Sequence, residues 1–194
     1  MKILSGLSEG QVLQRQGSKG ASLKLSGTCA KPGPLTITIA SKKGALKGWK
    51  NRAAGRAVKG NFTIRVAGIP AGGPYRLELR CNKAATSIRE FFAGDVWLLA
   101  GQSNMQGVGN MSEAPRPHPL IQSFSMRCEW MRAAEPLHVM LESPDFCHHG
   151  SKQCTAEESK KIRRTSYKGV GPGLWFAHEM LRRTGVPQGL ICAA

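Results

Sequence analysis

A chain of 194 residues with 41% apolar side chains can form one ordinary domain, or a small domain joined to part of another, and wholesale disorder is excluded. The formal net charge of +16 is unevenly placed: residues 1–80 carry 15 Lys or Arg against Glu9 and Glu78, so anionic partners are drawn to the first segment. No run of about 18 apolar residues exists and Met1-Lys2-Ile3-Leu4 lacks a signal-peptide core, so neither a membrane span nor export is indicated and the compartment is open.

From residue 10 to about 92 the chain reads as short strands separated by turn residues. Leu23-Lys24-Leu25-Ser26, Leu35-Thr36-Ile37-Thr38-Ile39, Phe62-Thr63-Ile64-Arg65-Val66 and Tyr75-Arg76-Leu77-Glu78-Leu79-Arg80 all alternate with a period of two. Lys31-Pro32-Gly33-Pro34 and Pro70-Ala71-Gly72-Gly73-Pro74 break the pattern between them. An antiparallel β sandwich over residues 1–92 is expected. The basic run from Lys42 to Lys59 surrounds Trp49, which reads as a loop tip or as a stacking platform for a sugar or base.

The pattern changes at Gly94. Val96-Trp97-Leu98-Leu99-Ala100 is continuously apolar, as in a parallel strand buried on both faces. Thr155 with Glu158 forms a capping-box pattern for a helix to about Arg164. Leu174, Ala177, Met180 and Leu181 give a second helix its apolar stripe, and Gly185 followed by Pro187 stops it. Gly189-Leu190-Ile191-Cys192-Ala193 starts another strand. This order predicts a βαβ crossover, and residues 93–194 read as the first part of an α/β domain truncated at its C-terminus.

Gly101-Gln102-Ser103-Asn104-Met105 places a serine just beyond the carboxyl end of a buried strand, where ligand sites of open α/β sheets lie. At a helix start, Ser103 would have outward-pointing backbone N–H groups beside it that can stabilise an oxyanion. The string is not the Gly-x-Ser-x-Gly elbow, since Met105 stands at the second glycine's position. On spacing alone, a polar turn after a core strand is an equal reading.

Gly94-Asp95-Val96-Trp97 leading into Gly101-Gln102-Ser103-Asn104-Met105 resembles the first block of SGNH-type hydrolases of the sialate O-acetylesterase family. Val12-Leu13-Gln14-Arg15, Gly72-Gly73-Pro74-Tyr75, Gly169-Val170-Gly171-Pro172-Gly173 and Thr184-Gly185-Val186-Pro187 continue the likeness. The resemblance implies a serine esterase that removes O-acetyl groups from carbohydrates. Ser103 would be its nucleophile, the Ser103 N–H one oxyanion donor, and Gly101, Gln102 and Asn104 the rest of the site loop. No cofactor and no metal are implied. The family's histidine and aspartate are expected beyond Ala194, so the 194 residues alone are expected to be inactive.

Asp145-Phe146-Cys147-His148 has Asp-x-x-His spacing but stands too early for the family order. His148 and His149 are therefore candidates for a substrate loop rather than for the triad, with a plain solvated loop as the competing reading. Cys147, His148, His149 and Cys154 are poorly spaced for zinc. The six cysteines show no Cys-x-x-Cys pair, and whether Cys147 and Cys154 pair is open. An alternative function is a basic β-sandwich module that binds an acidic glycan or nucleic acid without catalysis. Nucleic acid is the less favoured ligand, because no nucleic-acid strand motif accompanies the charge. The oligomeric state and the acetylated sugar are not specified.

Overall fold

Alternation folds the first half of the chain into strands. The computed structural model describes residues 1–150 and 152–194, with the side chain of His149 outside that description. It is mostly β-sheet with few helices, and its contacts divide it into two units, Met1–Asp95 and Val96–Ala194.

In the first unit, β1 (Lys2–Ser5), β3 (Ala21–Thr28) and β7 (Asn61–Ile69) form an antiparallel sheet in that spatial order. Leu23 and Leu25 point into the core while Lys24 between them is exposed, which is how a period of two selects one buried face. A second sheet pairs β4 (Gly33–Ser41) with β8 (Gly72–Cys81), and β8 with β9 (Ala84–Ala100). The short β5 (Gly44–Ala45) and β6 (Arg52–Ala57) both pair with β4, and β2 (Val12–Gln14) lies parallel to β9. One hydrophobic cluster draws Leu23, Leu25 and Ile64 from the first sheet and Ile37, Ile39, Leu77 and Leu79 from the second. Each such side chain, fully buried, contributes about 1.5–3 kcal/mol.

Trp49 belongs to this cluster, 3% exposed, with the Arg52 guanidinium 4.4 Å from its ring centre. A stacking platform at Trp49 is therefore not what the chain builds. Its large apolar surface goes inward and leaves the neighbouring cations outside. Arg15 grips Asp95 through two hydrogen bonds of 2.7 and 2.9 Å, which joins two of the stretches that carried the family likeness.

In the second unit, the end of β9 is followed by α1 (Ser103–Gln106), β10 (Gly109–Asn110), β11 (Ile121–Phe124), β12 (Trp130–Arg132), α2 (Phe146–His149), α3 (Ala156–Thr165), β13 (Lys168–Val170), α4 (Pro172–Thr184) and β14 (Gln188–Ala193). The strand order is β12-β11-β14-β9, with β11 and β14 parallel. The chain from β11 to its parallel neighbour β14 runs through α4, which packs on both strands. Leu99, Ile121, Leu137, Leu174, Ala177 and Leu190 make the core between them. The capping box of α3 is complete: Thr155 Oγ1 accepts from Glu158 N while Glu158 Oε2 accepts from Thr155 N. Trp97 Nε1 donates to Gln188 Oε1 at 2.8 Å, and the fully buried Gln188 amide donates in turn to Val186 O and Thr184 Oγ1.

Candidate functional site

Ser103 is the first residue of α1, a single helical turn at the end of β9. Gln102 is extended at its N-cap, and its carbonyl accepts from the amides of Met105 and Gln106 at 2.8 and 3.0 Å. The first amides of the turn have no acceptor within the helix, so they are available to a ligand. Gly101, Gln102, Ser103 and Asn104 are all exposed. Ser103 Oγ has no hydrogen-bond partner among the described residues, so the hydroxyl is free to rotate toward a ligand or a base.

The turn rests on backbone rather than on side chains. Gly107 closes it at a φ of +117°, and a Cβ there would collide with the Gly169 carbonyl oxygen. A Cβ on Gly171 would stand 2.8 Å from Met105 O, and one on Gly101 would stand 2.9 Å from the Met105 Cβ. Two residues after Gly107, β10 begins and pairs with β13, matching Gly109 with Val170 and Asn110 with Lys168. The run Gly169-Val170-Gly171-Pro172-Gly173 thus acts as a bed for the serine turn. Gly173 also lets the first turn of α4 approach Leu99 and Leu137.

Three ionisable side chains, Glu135, His138 and Glu142, are buried in the segment before α2. Glu135 is 7% exposed: its Oε2 accepts from Leu137 N at 2.8 Å, and its Oε1 has no hydrogen-bond partner. Burial pushes its carboxyl up to about 7, against the opposing pull of the Leu137 and Gly171 amides and the Arg163 charge. His138 is also buried, with neither ring nitrogen in hydrogen-bond geometry. Burial lowers its pKa, while the backbone at Gln106 and Leu99, either side of the serine turn, pulls the other way. A neutral imidazole therefore lies beside both flanks of the turn. The sequence marked Gly169–Gly173 only as a likeness and did not single out Glu135. The available signal for Glu135 was its place among Ala133, Ala134, Pro136 and Leu137.

Nearby, Arg163 holds the 2%-exposed Glu142 through contacts of 2.9 and 3.0 Å and donates to Pro136 O at 2.5 Å, while Ser159 Oγ also donates to Glu142. His148 Nδ1 lies 2.8 Å from Ser143 Oγ, which also accepts from the Asp145 amide at 3.1 Å. Asp145 Oδ1 caps α2 by accepting from Cys147 N. His148 and Asp145 are thus engaged locally and are not brought to Ser103 Oγ. His149, the other candidate for a substrate loop, has its side chain outside the described residues. Cys147 and Cys154 are free thiols, and no group of three metal-ligating side chains comes together among the described residues. No described helix is long and apolar enough to cross a membrane.

Residues 93–194 match the family model described as carbohydrate esterase, sialic acid-specific acetylesterase. The fold is similar to the crystal structure of a carbohydrate acetylesterase from Xanthomonas citri, with a TM-score of 0.53 and 19% sequence identity. That match covers 96% of this chain and 38% of the other, so the chain spans well under half the length of its structural neighbour. Comparison with curated protein sequences gives no match.

Proposed function

The chain belongs to the sialic acid-specific acetylesterase family of carbohydrate esterases, and from that premise we propose that it is the nucleophile-bearing part of a serine esterase that removes O-acetyl groups from sugars. The observation that carries the reading is Ser103, exposed and unpartnered on a turn whose leading amides are free. Ser103 Oγ attacks the acetyl carbonyl and its proton passes to a histidine base. The negative charge that develops on the carbonyl oxygen is met by the N–H of Ser103, with Gly101, Gln102 and Asn104 shaping the loop around it. Collapse of the tetrahedral intermediate, with the histidine giving its proton to the leaving oxygen, expels the sugar hydroxyl. Water, deprotonated by the same histidine, then attacks the acyl-serine, which releases acetate as Ser103 Oγ regains the proton.

Because Ser103 Oγ meets no imidazole among the described residues, we assign the base and its orienting aspartate to chain outside residues 1–194. The 38% coverage of the structural neighbour is consistent with this. In the same reading residues 1–92 form a β sandwich and residues 93–194 open an SGNH-type α/β domain. The single core shared by two sheets, antiparallel except where β2 lies beside β9, supports the first assignment, and the parallel β11 and β14 the second. His148 and His149 keep only a substrate-loop role. An acetylated carbohydrate is the substrate class, and neither a cofactor nor a metal is needed.

The test is turnover of 4-nitrophenyl acetate and of an O-acetylated sugar by a chain extended past Ala194. Ser103→Ala should lower kcat by about 10³-fold or more, because a triad works as a unit. Residues 1–194 alone should turn over neither substrate. Unchanged turnover in Ser103→Ala would remove Ser103 from the mechanism.

A further inference from the structure

The outward face of β4 and β8 carries the best-organised share of the positive charge. Their register sets Ala40 opposite Arg76, Thr38 opposite Glu78 and Thr36 opposite Arg80, while Leu35, Ile37, Ile39, Leu77 and Leu79 between them are buried. Two hollows of about 400 and 610 Å³ lie along this face and share Ala40 and Arg76. Lys42 and Arg89 stand on the first, and Lys50 and Arg80 on the second. Arg80 is already paired with Glu78 at 2.5 Å, and Arg89 with Glu9 at 3.5 Å. Lys42, Lys50 and Arg76 form no ion pair among the described residues, and all three are exposed. Arg76 shares its field with Glu78, and Glu90 also lines the first hollow, so these three cations outnumber the acids that remain beside them.

We propose that this face is a binding site for an acidic polysaccharide, whose carboxylate or sulfate groups meet Lys42, Arg76 and Lys50 in succession across the joined hollows. A chain with anionic groups at regular intervals can satisfy several such cations at once, and released counterions add to the affinity. Thr38, Ser41 and Asn51 are also on the lining. Thr38 Oγ1 donates to Asn51 Oδ1 and Ser41 Oγ to Gly44 O, which leaves the Asn51 amide N–H groups and spare oxygen lone pairs for sugar hydroxyls. A single-stranded nucleic acid would need exposed aromatic rings to stack its bases. The aromatic residues beside these cations, Trp49 and Tyr75, are 3% and 7% exposed and have no free face. The site is independent of the esterase reading, since every residue in it lies in the unit Met1–Asp95.

The experiment measures binding of the 194-residue chain to immobilised heparin, to polysialic acid and to duplex DNA over a salt series. Heparin carries sulfates and polysialic acid only carboxylates, so the two glycan arms identify the preferred anion. The triple variant Lys42→Ala, Lys50→Ala, Arg76→Ala is compared with a charge-matched control, Lys19→Ala, Lys24→Ala, Arg65→Ala, whose residues are exposed elsewhere on the same unit. The groove variant should weaken glycan binding by about tenfold or more and reduce the salt slope by about 3, while the control stays within about twofold of wild type. Circular dichroism melting of both variants confirms that they are folded. Equal weakening by the two variants would mean that overall charge binds the glycan and would overturn the site. DNA bound as tightly as either glycan would overturn the choice of ligand, and so would no glycan binding at low salt.

Discussion

Replacing Glu135 by Gln isolates the energetic consequence of a carboxyl buried close to the serine turn. In the folded chain the carboxyl keeps its proton to about pH 7, whereas the ordinary value is 4.5. Between those two values the unfolded chain binds fewer protons than the folded one, so stability falls as pH rises through the window and levels off above it. The gap corresponds to about 3 kcal/mol of stability present at pH 4.5 and lost by pH 8. Gln resembles the protonated acid in shape and cannot ionise, and its oxygen still accepts from Leu137 N. Urea unfolding at pH 4.5, 6 and 8 should therefore show Glu135→Gln close to wild type at the acid end and more stable by up to about 3 kcal/mol at pH 8. His138, whose buried neutral form works in the opposite direction, contributes equally to both proteins and cancels in the difference. Carboxyl ¹³C NMR reads the titration of Glu135 directly, with an expected midpoint near 7. A midpoint below about 5, or parallel pH profiles for the two proteins, would refute the reasoning.

Gly107→Ala should destabilise the second unit by about 3 kcal/mol or more in the same urea assay, since the new Cβ meets the Gly169 backbone at an unfavourable φ; a wild-type midpoint would contradict the backbone bed. Arg163→Met leaves Glu142 buried without its cation and should cost about 3–5 kcal/mol. Adding Glu142→Gln to that variant should restore part of the loss, and strictly additive effects would show that the pair is not coupled.

Features set by local contrast were readable from the sequence. Lys24 between Leu23 and Leu25 declares which face of β3 is buried, and Thr155 with Glu158 fixes the start of α3 through bonds made entirely within one turn. Features that depend on distant partners were not. The first ten residues of β9 contain Arg89 and Glu90, whose exposure breaks the pattern, and only pairing with β8 and β2 makes them a strand. The Asp-x-x-His spacing of Asp145 and His148 resembles catalytic chemistry, yet Asp145 caps a helical turn and His148 meets Ser143. Such short-range backbone bonds are available to any Asp at a helix start. At Trp49 the cations nearby suggested a ligand, but burying an indole outweighed that context. Glu135 and His138 stand among apolar neighbours in the sequence, but that context is shared by many exposed side chains and does not by itself reveal that the fold removes these two from water.

The contact of Gly107 with Gly169 and of Gly171 with Met105 also sets how this site can vary. Where backbone lies directly on backbone, no rotamer can swing aside to admit a larger neighbour, so a saturation library should yield almost no survivors at these glycines. Gln102 and Asn104, exposed on the same turn, carry no such burden and can be exchanged freely as far as folding is concerned. Altered sugar preference would therefore be sought at the rim of the turn, over a floor that offers selection nothing to work on.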